Sequence, residues 1–153
     1  IRAIEFYHQT GKCISEHNEL ERQKTSPYNA AYFVLNCDRD ILYDRIEKRI
    51  DIMLENGLID EVKNLVSKYS LKKDMVSMQG LGYKEILAYL NGEYSLDEAI
   101  YILMRDTRHF AKRQLTWFRR ERDVIWVDKD TLKDEKEQLD YILSVLKSKD
   151  IFT

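Results

Sequence analysis

Apolar residues recur along this chain at helical spacing far more often than in strict alternation, and few residues interrupt them. Pro27 and five glycines (Gly11, Gly57, Gly80, Gly82 and Gly92) are the main punctuation, which favours helices. IRAIEFYHQT reads as a helix closed by Gly11. A short polar helix follows, with Ser15 as its expected N-cap and Glu16 and Glu19 in its first turn. The pattern breaks around TSPYN at 25–29. Ala30 to Cys37 is aromatic, β-branched and apolar, and predicts a strand buried on both faces. Asp38 then caps a helix to about Asn56 that stops at Gly57, and Leu58 to about Tyr69 predicts another. A third begins near Gly82 and ends at NGE. Ser95 with Glu98 three residues later is a capping box for the longest helix, expected to reach about Arg122. DVIWVD predicts a second short strand, and Leu132 to Lys149 a closing amphipathic helix.

The chain has 153 residues, 44% of them hydrophobic and 34% charged, with a formal net charge of −2. That length suits one core. No apolar run approaches the roughly 20 residues that span a bilayer, and nothing reads as a signal peptide. Cys13 and Cys37 stand apart without metal-ligand neighbours, so neither a disulfide framework nor a zinc site is expected, and a reducing cytoplasm is. The chain opens on Ile1 within a helical pattern and is expected to be a piece of something longer.

Charge changes this picture at one place. RDTRHFAKRQLTWFRRER, from Arg105 to Arg122, sets seven cations against Asp106 and Glu121, with Phe110, Trp117 and Phe118 interleaved. Such a segment suits a polyanion and something flat to stack on. At about 100° per residue, Met104, Ala111, Leu115 and Phe118 form an apolar stripe, widened by Leu103, Phe110 and Trp117. Arg105, Lys112 and Arg119 form a ridge, with Thr116 between them, that faces solvent or a ligand. Arg108 lies inside the stripe, bordered by Thr107 and Gln114. A guanidinium there needs an internal carboxylate or an anionic ligand.

Arg45 and Arg49 lie four apart on the helix after Asp38, a spacing that can clamp a phosphate or diphosphate. Asp44, Glu47, Lys48 and Asp51 also allow routine surface pairing. In MQGLGYKE, Gly80 and Gly82 flank Leu81 directly before a helix, so backbone N–H groups can approach a ligand, with Tyr83 and Lys84 in the first turn. The same pattern also describes a tight loop-to-helix entry. No GxxxxGK[ST] loop and no Ser/His/Asp set occurs; His8, His17 and His109 are scattered.

Four segments in order, RAIEFYHQTGKCIS, RIEKRIDIMLENGLIDEV, MQGLGYKEILAYLNGE and TRHFAKRQLTWFRRE, resemble the C-terminal part of the tRNA dimethylallyltransferases, also called tRNA isopentenyltransferases. The resemblance reaches about Asp128. It implies a mostly α fold with two short strands: a fragment of an α/β P-loop-kinase-like fold with the end of its inserted helical domain. The expected division is residues 1–29 from the inserted, tRNA-facing region, 30–128 from the transferase core, and 129–153 as a C-terminal helix. The implied activity is transfer of a dimethylallyl group from dimethylallyl diphosphate to the exocyclic amine of the adenine 3′ of a tRNA anticodon. The P-loop and the general base of such enzymes lie in a half not represented here, so this piece is expected to be inactive alone. The resemblance implies diphosphate contacts from Arg45 and Arg49, with Arg108 as a further candidate. It implies tRNA contacts from Arg2, from Gln79, Gly80, Gly82, Tyr83 and Lys84, and from Lys112, Arg113, Gln114, Thr116, Trp117 and Arg119; Arg105 joins them by its place on the basic ridge. Mg²⁺ is expected mainly through the diphosphate and the other half. The whole enzyme is expected to be a monomer, and the piece to self-associate through an exposed apolar edge. The alternatives are a non-catalytic helical RNA-binding module and a lid-bearing piece of a small-molecule kinase.

Overall fold

The computed structural model describes residues 1–24, 26–132 and 134–151. Thr25, in the predicted break, Lys133, at the start of the predicted last helix, and the terminal Phe152 and Thr153 lie outside the described residues. Among the described residues there are the seven α-helices and two strands that the sequence pattern predicts, and one 3-10 turn besides. They form two compact units, one of Ile1–Ala31 with the segment from Leu143 onward, the other of Tyr32–Ile142.

In the first unit, α1 (Arg2–Thr10) ends at Gly11 in the left-handed conformation, φ 68°, whose N–H closes onto the Tyr7 carbonyl. In α2 (Ile14–Gln23) the N-cap is Cys13 rather than Ser15, so the helix starts two residues earlier than expected and lacks a side-chain cap. Phe6 and His17 join the two helices with ring centroids 5.0 Å apart.

The second unit begins with β1 (Tyr32–Asn36), which pairs in parallel with β2 (Val124–Asp128), Tyr32 opposite Val124 and Asn36 opposite Asp128. A parallel pair needs a crossover, and here it consists of four helices. Asp38 accepts a hydrogen bond from the Asp40 N–H and starts α3 (Arg39–Glu55). Gly57 turns the chain into α4 (Leu58–Tyr69). A 3-10 turn (Val76–Gln79), which apolar spacing does not reveal, leads to α5 (Tyr83–Leu90) and then α6 (Leu96–Phe118). Ile50, Leu58, Val62, Met78, Ile86, Leu87 and Leu103 make the core, so α3, α4, α5 and α6 share it. Ser95 and Glu98 form the expected capping box at the start of α6. The last helix, α7 (Glu135–Ser148), starts later than Leu132 because Asp134 caps it, accepting the Glu137 N–H at 2.7 Å.

Two expectations need correction. The first strand is not buried on both faces: Val34 is buried, whereas Leu35 on the opposite face is 60% exposed. A sheet of two described strands covers that face only in part. The longest helix also stops at Phe118, four residues short of Arg122. The N–H groups of Arg120 and Glu121 bond to the carbonyls of Trp117 and Phe118, tightening the turn that delivers the chain into β2.

Candidate functional site

The entry to α5 is built on Gly82, whose φ of 98° is open to glycine and strained for other residues. Its N–H donates to Glu85 Oε2 at 2.9 Å, the half of a capping box that a glycine can make. Glu85 is 2% exposed, the one charged residue buried to that degree among the described residues. Its other oxygen, Oε1, lies 3.2 Å from Lys84 Nζ, an ion pair without hydrogen-bond geometry. Lys84 also reaches Asp106 Oδ2 at 3.2 Å, and Asp106 Oδ1 accepts from Arg105 Nε at 2.9 Å. Glu85, Lys84, Asp106 and Arg105 thus form one chain of alternating charge between α5 and α6.

These contacts move two titrations. Burial works to lower the Lys84 ammonium, but its contacts with Glu85 and Asp106 outweigh that and hold it above its ordinary value. Burial works to raise the Asp106 carboxyl, and hydrogen bonds from Arg105 and Lys84 outweigh that and hold it below the usual carboxylate range. Around the chain of charges lies a cavity of about 320 Å³, lined by Lys73, Gln79, Lys84, Glu85, Ala88, Tyr94, Ile102, Arg105 and Asp106. Lys73 pairs with Glu93, and Gln79 donates its amide to the Lys73 carbonyl. Tyr83 faces elsewhere, donating its hydroxyl to Glu61, which raises its titration above the ordinary phenol range. The glycine segment therefore brings Gln79 and Lys84 to this cavity with Arg105, while Tyr83 braces α5 against α4.

On α3, Arg45 and Arg49 are exposed and carry no ion pair among the described residues. Arg49 borders an apolar cavity of about 150 Å³ between α3 and α6, lined also by Ile46, Met53 and Leu81. Between the two arginines in sequence, Glu47 takes Arg108 Nη1, whose guanidinium also lies 6.0 Å from the Tyr43 ring centre. Of the two partners open to Arg108, the structure supplies the internal carboxylate.

The second half of α6 differs. Lys112, Arg113, Gln114 and Thr116 are exposed; Thr116 donates to the Lys112 carbonyl at 2.9 Å, and Arg113 lies 5.7 Å over Phe110. Trp117 is 54% exposed and edge-on to Phe118 at 5.2 Å, and Phe118 meets Tyr32. Phe110 and Trp117 do not widen the buried stripe. Arg119 follows the end of the helix and lines a cavity of about 290 Å³ with Cys37, Arg39, Asp128 and Asp130, at the C-terminal ends of both parallel strands. That location is where open parallel sheets place ligands. The ridge is thus divided: Arg105 is in one cavity, Arg119 in another, and Lys112 lies exposed between them in sequence. Arg2, in the first unit, lines a groove with Glu5, Phe6 and His17.

The sequence marks Glu47 only as a routine surface partner and does not single out Glu85, Asp106 or Arg39. Glu85 had a signal, three residues after Gly82 at capping-box spacing. The others partner or face cations on elements distant in sequence. Among the described residues no three His, Cys, Asp or Glu side chains group to hold a metal ion, and no helix is long and apolar enough to cross a membrane.

Residues 1–121 match the family of IPP transferases. The chain is 55% identical over 151 residues to the tRNA dimethylallyltransferase of Lachnoclostridium phytofermentans, covering 99% of this chain and 48% of that protein. It is 52% identical over 147 residues to that of Acetivibrio thermocellus, covering 94% and 47%. A crystal structure of a tRNA isopentenylpyrophosphate transferase from Staphylococcus epidermidis superposes with a TM-score of 0.75 at 36% identity, covering 96% of this chain and 47% of that one. The enzyme of the same name from Bacillus halodurans gives 0.72 at 43%, covering 88% and 45%. The chain spans about half the length of the relatives it matches.

Proposed function

The chain belongs to the IPP transferase family, and we propose that the protein it forms part of transfers a dimethylallyl group from dimethylallyl diphosphate to the exocyclic amine of the adenine 3′ of a tRNA anticodon. In that reaction the bond from the allylic carbon to the diphosphate oxygen breaks and a carbon–nitrogen bond forms. Diphosphate leaves with the bonding electrons, and the amine loses a proton. Charge grows on the leaving group, so fixed guanidiniums aimed at it lower the barrier.

The observation that carries this reading is the state of Arg45 and Arg49: four apart on α3, exposed, and free of ion pairs among the described residues, while Glu47 between them takes Arg108. Arg45 and Arg49 bind the departing diphosphate. Arg108 ties α6 to the helix that carries them, and contacts diphosphate itself only by releasing Glu47. Lys112, Arg113, Gln114, Thr116, Trp117 and Arg119 bind the tRNA anticodon stem-loop, joined by Arg2, the turn at Gly80 and Gly82, and the Gln79–Lys84–Arg105 cavity. Mg²⁺, when bound, supplies further neutralisation of the leaving group. The described residues offer it no ligand set of their own, and no step assigned to these arginines passes through it. This chain alone contributes contacts without turnover, and the proposed compartment is the cytoplasm.

The test is transfer by the full-length protein of a labelled dimethylallyl group onto tRNA. Label should appear on a tRNA with adenine 3′ of the anticodon and not on one with guanine there. Absence of label from both would overturn the reading and favour an RNA-binding module without chemistry.

A further inference from the structure

The cavity between α5 and α6 has the wrong charge for a phosphate. Each cation on its wall already has a carboxylate: Lys73 has Glu93, Lys84 has Glu85 and Asp106, and Arg105 has Asp106. A phosphate brought there would meet balanced charge and a nearby carboxylate, at a cost in desolvation that nothing offsets. The same walls suit a neutral heterocycle. Ala88 and Ile102 are apolar, Tyr94 is 41% exposed, and Asp106, Gln79, Lys84 and Arg105 bring hydrogen-bond acceptors and donors to the same lining. At about 320 Å³ the cavity admits a single ring system.

We infer that this cavity takes one unstacked nucleobase of the RNA loop, other than the adenine that is modified, and that Lys84, Arg105 and Asp106 read its edge while Tyr94 supports its face. The inference rests on the reading that this part of the chain engages RNA. It assigns these two cations to a base, and leaves the sugar–phosphate backbone to Lys112 and Arg119. Single-stranded RNA is commonly read in this way, by splayed bases stacked on aromatic rings and hydrogen-bonded at their edges.

The experiment measures binding of the full-length protein to anticodon stem-loops made abasic at one loop nucleotide at a time. Loss of one base, not the target adenine, should weaken binding roughly tenfold, the scale of one stacked base. That loss should shrink to less than about twofold in Tyr94→Ala and in Asp106→Asn, and return in Tyr94→Phe. The sign of Asp106→Asn is a separate discriminator. A base pocket loses affinity when the carboxylate goes; a phosphate site gains affinity and a steeper salt dependence. Tighter binding by Asp106→Asn, or abasic losses that Tyr94→Ala leaves unchanged at every position, would overturn the inference while leaving the RNA reading intact. Failure of the unaltered protein to bind any stem-loop would overturn both.

Discussion

The cations of this chain fall into two groups of the same chemistry and opposite state. Lys84, Arg105 and Arg108 are each held by a carboxylate: Lys84 by Glu85 on its own helix and by Asp106 on α6, Arg105 by its neighbour Asp106, and Arg108 by Glu47 on α3. Arg45, Arg49, Lys112 and Arg119 are exposed and carry no ion pair among the described residues. Charge density along the sequence does not separate them, since Arg105, Arg108, Lys112 and Arg119 share one segment. The difference is made by packing. Where α6 lies against α3 and α5 its cations meet acids, and beyond that overlap they do not. A paired cation orders helices and presents a fixed edge. An unpaired one is ready for a phosphate without first giving up a partner.

The sharpest way to break this comparison is to remove an unpaired cation at the proposed diphosphate site. Arg49→Ala in the full-length enzyme should lower kcat by on the order of 10²-fold, the scale of losing one donor to a developing anion, with a much smaller change in tRNA affinity. Single-turnover and binding measurements together check this, and an unchanged kcat would remove Arg49 from the site. Next in size, Lys112→Glu with Arg119→Glu should weaken stem-loop binding about tenfold or more and flatten its salt dependence by roughly 1 to 2 in slope. Unchanged affinity in a titration would take both residues off the RNA surface.

Smaller effects follow where a cation is moved from one group to the other. Glu47→Gln releases Arg108. Because the pair is part-exposed, at 30% and 41% of its side chains, the loss of unfolding free energy should be about 1 kcal/mol, readable by urea denaturation. A loss several times larger would mean that Arg108 is buried more deeply than its exposure indicates. Smallest is a pH effect. The Asp106 carboxyl titrates below its ordinary value, so its stabilisation is complete above about pH 4 and is lost as the pH falls through the lowered value. Asp106→Asn removes that loss and should make acid denaturation shallower than in the unaltered chain, with parallel curves from pH 5 to 8.

Much of this was legible from local rules. Asp38, Gly57 and the Ser95–Glu98 box mark helix ends through backbone groups within a few residues, and the helices α3 to α6 begin close to where those residues put them. The end of α6 was not legible, because the apolar and basic periodicity continues through Arg122 while the geometry of entering β2 forces a turn after Phe118. The exposure of Leu35 was not legible either, since an apolar strand reads the same whether one or both faces are covered. In the candidate site, the residue types at Arg45, Arg49, Gln79 and Lys84 could be picked out from spacing and resemblance. Their partners could not. Glu47 and Arg108 are 61 residues apart, and Lys84 and Asp106 are 22 apart, and no pattern within a helix joins them.

The division between paired and unpaired cations is tested most directly by the salt dependence of stem-loop binding in two double variants of the full-length protein. Lys112→Ala with Arg119→Ala should reduce the slope of log K against log salt by about 1.5, as for two lost phosphate contacts. Lys84→Ala with Arg105→Ala should leave that slope within experimental error even where affinity falls. The reverse result, a slope set by Lys84 and Arg105 and indifferent to Lys112 and Arg119, would contradict the account.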